Sequence, residues 1–530
     1  MATLSRVLTL TLVVGTAIAV SGCKVGPDYS GPPTVETPAS FAAVPAAKPT
    51  DVTTSPSQDE AKLGQWWMTL GDEQLASLVD RAVGSNLDLK LALSRVREAR
   101  ALRGSVASDW FPQVNTGASY SRSRSSNNTV PGFGAQQNAT GVNTFGVGLE
   151  ASWELDFWGR TARAVESVDA QIQQTVELRR DVLVLVLAEV ASSYIDLRGL
   201  QERLAVVNRA VGVQEESLKL TESRFKAGLV GELDVAQARA QLEIRRSQVP
   251  GIRSGIDISI NRLSVLLGRP PRALAEELAP FKSLPTAPTT VGVGLPSELL
   301  QRRPDIRAAE RALAARTAAI GVATADLYPR FSITGALGLQ SAQAGSWFDM
   351  GSRYWSIAPG VQWPILDWGK IRSNIDVRNE QLAQALITYE QTVLRSFEDV
   401  EGSLLRLVSS QEQFAALSRA VDSSRRAVQL AQDLYQTGNV DFRTVLENQR
   451  TLYDAEDQAV VSHANALINL VALYRTLGGG WEQLENPEGT PPIIPSSTID
   501  AIVRGTRAGV SKEDPAPPPG SPAASPAGER

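Results

Sequence analysis

The sequence predicts a mainly α-helical protein with a β-barrel part, in which long coiled-coil helices carry four membrane-crossing strands and the whole plan occurs twice. Three observations predict it: an internal repeat, strands alternating at period two, and two proline-free helical stretches of unusual length. A strand pattern ending Leu155-Asp156-Phe157-Trp158-Gly159-Arg160 runs into a long helical pattern, and the same succession returns at Leu366-Asp367-Trp368-Gly369-Lys370. From Trp158 and Trp368 onward the copies keep an offset of about 210 residues, carrying Phe225 onto Tyr435 and Gly228 onto Gly438. Upstream, Leu87-Asp88-Leu89 matches Pro304-Asp305-Ile306 and Phe111-Pro112 matches Tyr328-Pro329 at a shifted offset, so only the inter-strand loop changes length.

In chain order, residues 1–22 read as an export signal: Arg6, an apolar stretch from Val7 to Val20, and the small pair Ser21-Gly22 before Cys23. The stretch is too short to span a bilayer as a stable helix. Val20-Ser21-Gly22-Cys23 resembles a bacterial lipobox, which makes Cys23 the lipidation candidate; a soluble export signal with an incidental cysteine is the alternative. In lipoproteins an Asp after the cysteine favours inner-membrane retention, and Lys24 stands there instead. An anchored arm, 23–72, follows, then repeat one (73–290), repeat two (291–480) and a tail (481–530). The arm from Pro27 to Ser57 and the tail from Asn486 are rich in Pro with Ala, Thr or Gly and lack the apolar content to build a core, so both are expected to be extended or disordered when free. A second Pro-rich stretch, Gly268 to Pro296, joins the repeats.

The strands come next. Phe145, Val147, Leu149, Ala151, Trp153, Leu155 and Phe157 alternate with Gly146, Gly148, Glu150, Ser152, Glu154 and Asp156, which gives one wholly apolar face. Trp355 to Ile365, Val114 to Tyr120 and Phe331 to Leu339 alternate as well. Trp110, Trp153, Trp158, Trp355, Trp363 and Trp368 sit in or beside these strands, as in the aromatic girdles of membrane barrels. A soluble sandwich is the competing reading, and Gly- and Glu-rich opposite faces argue against a second packed sheet.

Lipid tolerates no open sheet edge, and four strands cannot close a barrel, so the chain is expected to oligomerise. Two copies give eight strands and a filled interior; three give twelve and room for a lumen, which favours a homotrimer if the protein is a pore. Glu150, Glu154 and Asp156 then face water inside and favour cations mildly. The polar loops Ser121 to Thr144 and Ser341 to Arg353 become the outer connections.

From about Arg160 to Lys226 there is no proline, and Leu197, Leu200, Leu204, Val207, Val211, Gln214, Leu218, Thr221 and Phe225 step by three and four, as a coiled-coil seam does. The second copy repeats the register from Leu407 to Tyr435. Each helix is expected to reach about 100 Å at 1.5 Å per residue. Val182 to Ala191 is apolar nearly all round and predicts packing on several sides. Gly228 and Gly438 stand where a helix needs a left-handed terminal residue, and Gly231 and Asp441 open the next helix, so these turns are hairpin tips. Exposed Leu229 and Val230 mark the tips as a docking surface.

Composition narrows the function. One Cys and one His (Cys23, His463) exclude Cys/His zinc sites, thiol catalysis and His-based triads, no cofactor is implied, and no acidic pair gathers into a pocket. His463 reads as a helix-surface residue. A formal charge of -5 with no basic stripe makes nucleic acid an unfit partner.

Cys23-Lys24-Val25-Gly26-Pro27-Asp28-Tyr29, Trp66-Trp67 and the stretch Gly294 to Arg307, continuing to about Gly479, resemble the TolC-type outer-membrane efflux family, in its OprM-like (NodT-type) lipoprotein branch. The resemblance implies a trimer with a twelve-stranded outer-membrane β-barrel and a periplasmic helical barrel in a Gram-negative bacterium. It implies a passive exit duct for drugs or other small toxic compounds, no enzyme. An inner-membrane efflux pump supplies energy and a membrane-fusion adaptor docks at the tips. Arg224, Phe225, Gly228, Leu229, Val230, Tyr435, Gly438, Asn439 and Val440 become the adaptor contacts. The family's periplasmic gate positions, an apolar and an acidic residue one turn apart, fall on Arg443 and Glu447, so this sequence departs from the pattern at Arg443. The outlet of a type I protein-secretion system is the alternative within the fold; a periplasmic adaptor or structural rod explains the helices but not the strands.

Overall fold

A computed structural model describes residues 24–42, 53–55, 63–124, 141–288, 290–292, 296–482 and 484. These lie within one compact unit, Met1–Leu484. The export signal, Cys23, part of the arm, most of the Ser121 to Thr144 loop and the tail fall outside the described residues.

The described elements run β1 (Thr53–Ser55), α1 (Glu73–Ser85), α2 (Leu87–Ala107), β2 (Gln113–Ser123), β3 (Val142–Leu155), α3 (Arg160–Lys226) and α4 (Glu232–Leu266). The chain continues through β4 (Thr290–Gly292), α5 (Pro296–Arg302), α6 (Pro304–Ala325), β5 (Arg330–Ser341), β6 (Arg353–Gln362), α7 (Lys370–Gln436) and α8 (Phe442–Thr476). Both long helices have 67 residues and both return helices 35. At 1.5 Å per residue the long helices extend about 100 Å. They begin after Gly159 and Gly369, whose φ of 74° and 86° only glycine adopts cheaply.

The core sits midway along the helices. Trp66 and Trp67 are fully buried; Trp66 stacks on Tyr474 with centroids 5.2 Å apart and meets Trp67 edge-on at 5.8 Å. Around them close Leu75, Leu78 and Val79 of α1, Leu183 to Leu197 of α3, Val393 to Leu407 of α7 and Leu467 to Leu477. The nearly all-apolar run after Val182 is buried there apart from exposed Leu185 and half-buried Glu189, as its composition predicts.

Asp72 caps α1, accepting from the amides of Gln74 (2.9 Å) and Leu75 (3.2 Å). It also takes the Tyr194 hydroxyl at 2.8 Å and Lys282 Nζ at 2.7 Å, which ties α1, α3 and the inter-repeat linker together. Burial opposes its charge, yet these donors outweigh burial and hold the carboxyl below its ordinary range.

Residues 24–42 of the arm form no helix or strand, and they join the core. Arg163 of α3, 1% exposed, donates to Asp28 (2.7 Å) and to the Val25 carbonyl (3.1 Å), while the Val25 amide reaches the Trp158 carbonyl. Phe41 is buried. A two-stranded parallel sheet, Thr53 opposite Thr290, joins arm to linker, and no sequence pattern announced it. His463 corrects the surface reading: it is half-buried and stacks on Phe414 of α7 at 4.6 Å, and burial lowers its pKa.

Trp66→Ala should cost about 3–5 kcal/mol, read as a lower unfolding midpoint in denaturant. Because Asp72 is more acidic folded than unfolded, its contribution is present above about pH 4 and lost as pH falls further. The stability gap between the native chain and Asp72→Asn should therefore shrink as unfolding is measured from pH 7 down to pH 3.

Candidate functional site

The four longer strands form one antiparallel sheet in the order β2-β3-β5-β6, leaving β2 and β6 as its edges. Register sorts its residues into two faces. Leu149 lies opposite Thr116 and Leu337, and Leu337 opposite Trp355; Ala151 opposite Val114 and Gly335; Leu155 opposite Phe331, and Phe331 opposite Val361. Most of this face is apolar, and Val114, Leu149, Leu337, Trp355, Ile357 and Val361 are all exposed. Such a continuous exposed apolar face is a surface made for lipid or a partner. On the other face Glu150 lies opposite Asn115 and Ala336, Ser152 opposite Gln113 and Thr334, and Glu154 opposite Ser332.

Two aromatic groups bound the apolar face. At one end Tyr120 packs on Phe145 (4.9 Å) and Phe145 on Trp347 (5.8 Å), so the Ser341 to Arg353 connection is less polar than expected. At the other, Trp153 and Trp363 donate their indole N–H to the carbonyls of Trp110 and Leu327, both at 3.0 Å. The eight residue steps from Phe145 to Trp153 extend about 27 Å, near the roughly 25 Å apolar band of outer-membrane barrels.

Of the expected lumen residues, Glu150 and Glu154 stand exposed on the polar face. Asp156 lies beyond β3, and its Oδ2 accepts the Ala162 amide at 2.8 Å, committing it to the start of α3 rather than to a strand face. Sequence reasoning missed Tyr354. Register aligns Gly117, Gly148, Gly338 and Tyr354 across the sheet, and a Cβ added at Gly148 or Gly338 would meet the Tyr354 side chain at 2.8 Å. The Tyr354 ring therefore lies over Gly148 and Gly338 on the polar face. A glycine in the same row of three adjacent strands is the signal that register, once known, makes readable.

The tips are built as expected. Gly228 (φ 72°) and Gly438 (φ 76°) end α3 and α7 in paired reverse bonds: Gly228 N to Phe225 O with Leu229 N to Arg224 O, and Gly438 N to Tyr435 O with Asn439 N to Leu434 O. Gly231 and Asp441 precede the return helices, and Asp441 Oδ1 accepts from the Thr444 hydroxyl and amide, which hold its carboxyl below the ordinary range. Leu229 and Phe225 are exposed, Val230 is half-buried, and Asn439 Nδ2 bonds Thr437. Arg224 lies over the Tyr435 ring at 4.4 Å, joining the two tips, and Tyr435 packs on Phe442. Arg443 and Glu447 pair within α8, Nε to Oε1 2.8 Å, both well exposed. Cys23 lies outside the described residues; its neighbour Lys24 packs against Gly159, at the same end of the sheet as Trp158. Among the described residues no group of His, Cys, Asp and Glu is placed to hold a metal, and no helix is long and apolar enough to cross a membrane.

A lipid-suited sheet mounted on helices of periplasmic length defines the class of outer-membrane exit channels. The family model for outer membrane efflux proteins matches residues 78–269 and 295–479, and the chain belongs to that family. It is 33% identical over 425 residues to the pyoverdine export outer membrane protein OpmQ of Pseudomonas aeruginosa, covering 80% of this chain and 89% of that one. To the toluene efflux pump outer membrane protein TtgF of Pseudomonas putida it is 30% identical over 476 residues, covering 90% and 98%. Among solved structures, the outer-membrane channel OprN superposes with a TM-score of 0.78 at 36% identity, covering 87% of this chain and 100% of that one. The protein is accordingly an outer-membrane exit channel for efflux, with a long periplasmic helical part, in a family of channels rather than enzymes.

Gly438→Ala should cost about 1–2 kcal/mol locally, since a Cβ there meets open space and only the left-handed backbone objects. Hydrogen exchange should quicken at the amides of the second tip and stay unchanged in the strands.

Proposed function

We propose that three copies assemble into a passive duct, twelve strands in the outer membrane and a helical barrel below, that conducts small toxic compounds from periplasm to exterior. The observation that carries this reading is the two-faced sheet with both edges open. Unpaired strand edges cost several kcal/mol per backbone group in lipid, and three copies close a barrel with a lumen. Each chain is then a twofold internal duplication, 73–290 and 291–480, flanked by the arm 23–72 and the tail 481–530. Glu150 and Glu154 line the lumen beside Tyr354 and favour cations. Cys23 carries the lipid anchor.

The tips, with Leu229, Phe225 and Asn439 presented outward, receive a periplasmic adaptor that joins the duct to an inner-membrane pump. Arg443 and Glu447 take the gate positions. Their bond within one helix supports a gate in which Glu447 neutralises Arg443 until a neighbouring protomer competes for it. The export and efflux roles of OpmQ and TtgF support small molecules as cargo.

Cells deleted for this chain should accumulate more of a fluorescent efflux dye, and complementation should reverse it; unchanged accumulation would move the reading toward protein secretion. Glu447→Ala should raise the conductance of purified channels and the drug permeability of whole cells. If both stay at the native level, Glu447 is no part of the gate.

A further inference from the structure

The seam between the two halves of one chain contains bonds whose partners in the other half are left open. β2 and β5 correspond through their pairings, Gln113 with Ser152 and Arg330 with Gln362, and so do β3 and β6. Trp158, between β3 and α3, donates Nε1 to the Pro329 carbonyl at 2.8 Å and stacks on Tyr328 at 4.7 Å. Beside it Arg160 pairs with Asp326 at 3.4 Å. The equivalents are Trp368 and Lys370 on one side, and Phe111, Pro112 and Asp109 on the other. Here nothing is closed within the chain: Trp368 is 90% exposed, Phe111 68%, and Lys370 and Asp109 are exposed too. Trp368 is also held at φ 56°, a conformation in which a bulky side chain is rarely found without cause.

The strands repeat the pattern. β3 continues to Leu155, where Trp153 and Leu155 pair with Ile333 and Phe331 across the seam. β6 stops at Gln362, where β5 begins, and the matching Trp363 and Ile365 stay exposed. Below, α3 packs on α6 and α8 of the other half, whereas the main partners of α7 within the chain are α6 and α8 of its own half.

We propose that Trp368 closes onto Phe111 and Pro112 of a second copy of this chain, with β6 pairing to β2 of that copy in the register β3 uses on β5. The proposal deepens the trimeric reading and rests on it. Transferring the register places Val361 opposite Ala118, Trp363 opposite Thr116 and Ile365 opposite Val114, antiparallel, and keeps each pair on the apolar face. Lys370 then pairs with Asp109, opposite charges in the places of Arg160 and Asp326.

The test is a disulfide in the full chain, whose one native cysteine is Cys23. Within one chain β2 and β6 are three strand spacings apart, about 14 Å along the sheet, beyond the roughly 7 Å reach of a disulfide. Ala118→Cys with Val361→Cys should, on oxidation in membranes, shift the monomer band into dimer and trimer bands that reduction reverses. Val114→Cys with Val361→Cys, displaced by four residues, should leave the monomer band intact. Linkage of the displaced pair, or of neither pair in a protein that native mass spectrometry shows to be a trimer, would overturn the register; monomers throughout would overturn the trimeric reading itself.

A second variant tests the latch without cysteines. Trp368→Phe, which keeps the ring and loses the N–H donor, should shift trimer dissociation on heated denaturing gels to lower temperature with helical circular dichroism unchanged. Native dissociation would remove Trp368 from the joint.

Discussion

Everything in this molecule is arranged around the fact that hydrocarbon supplies no hydrogen bonds. A backbone amide left bare in lipid costs several kcal/mol, so strands enter a bilayer only as parts of a closed surface. This chain brings four strands with two bare edges. The apolar face, the aromatic rows at either end and the long helices that hold the strands together are all consequences of that requirement. The sheet has no second layer of its own to bury it. Its inner residues are small or polar, and Tyr354 fills space only because Gly148 and Gly338 make room.

Stability is supplied elsewhere. The large side chains converge midway down the helices, where Trp66, Trp67 and Tyr474 interlock and Asp72 collects donors from three segments. Beyond that zone the hairpins are held by much smaller apolar groups, Val421 with Val428 and Leu452, and Phe442 with Ala238 and Leu446. The chain thus separates a rigid middle from a membrane end and a tip end that both present unsatisfied surface.

Much of this was legible in the sequence. The limits of α3 and α7, the four strands and both tip glycines follow from local rules, namely period two, steps of three and four, and glycine where φ is positive. What escaped depends on contacts between distant segments of weak pattern. The pairing of Thr53 to Ser55 with Thr290 to Gly292 leaves no periodic trace, because three residues are too few to carry one. His463 looks like a surface residue until Phe414 is placed against it. Asp156 continues the alternation of β3 on paper, and only the turn into α3 reveals that its carboxylate serves the helix start. The tip residues Arg224 and Tyr435 were legible as neighbours of glycines, but not as a cation resting on a ring across two hairpins.

The hairpins also have a mechanical meaning. The large core grips α3 as far as Leu197, and the helix runs on to Lys226, about 44 Å at 1.5 Å per residue. Beyond the core α3 is held by narrower contacts, Arg203 to Asp457 and Gln214 to Gln449 among them, so its last turns resist a sideways push less than the stretch inside the core. Since Arg224 rests on the ring of Tyr435, the two levers of one chain move as a pair.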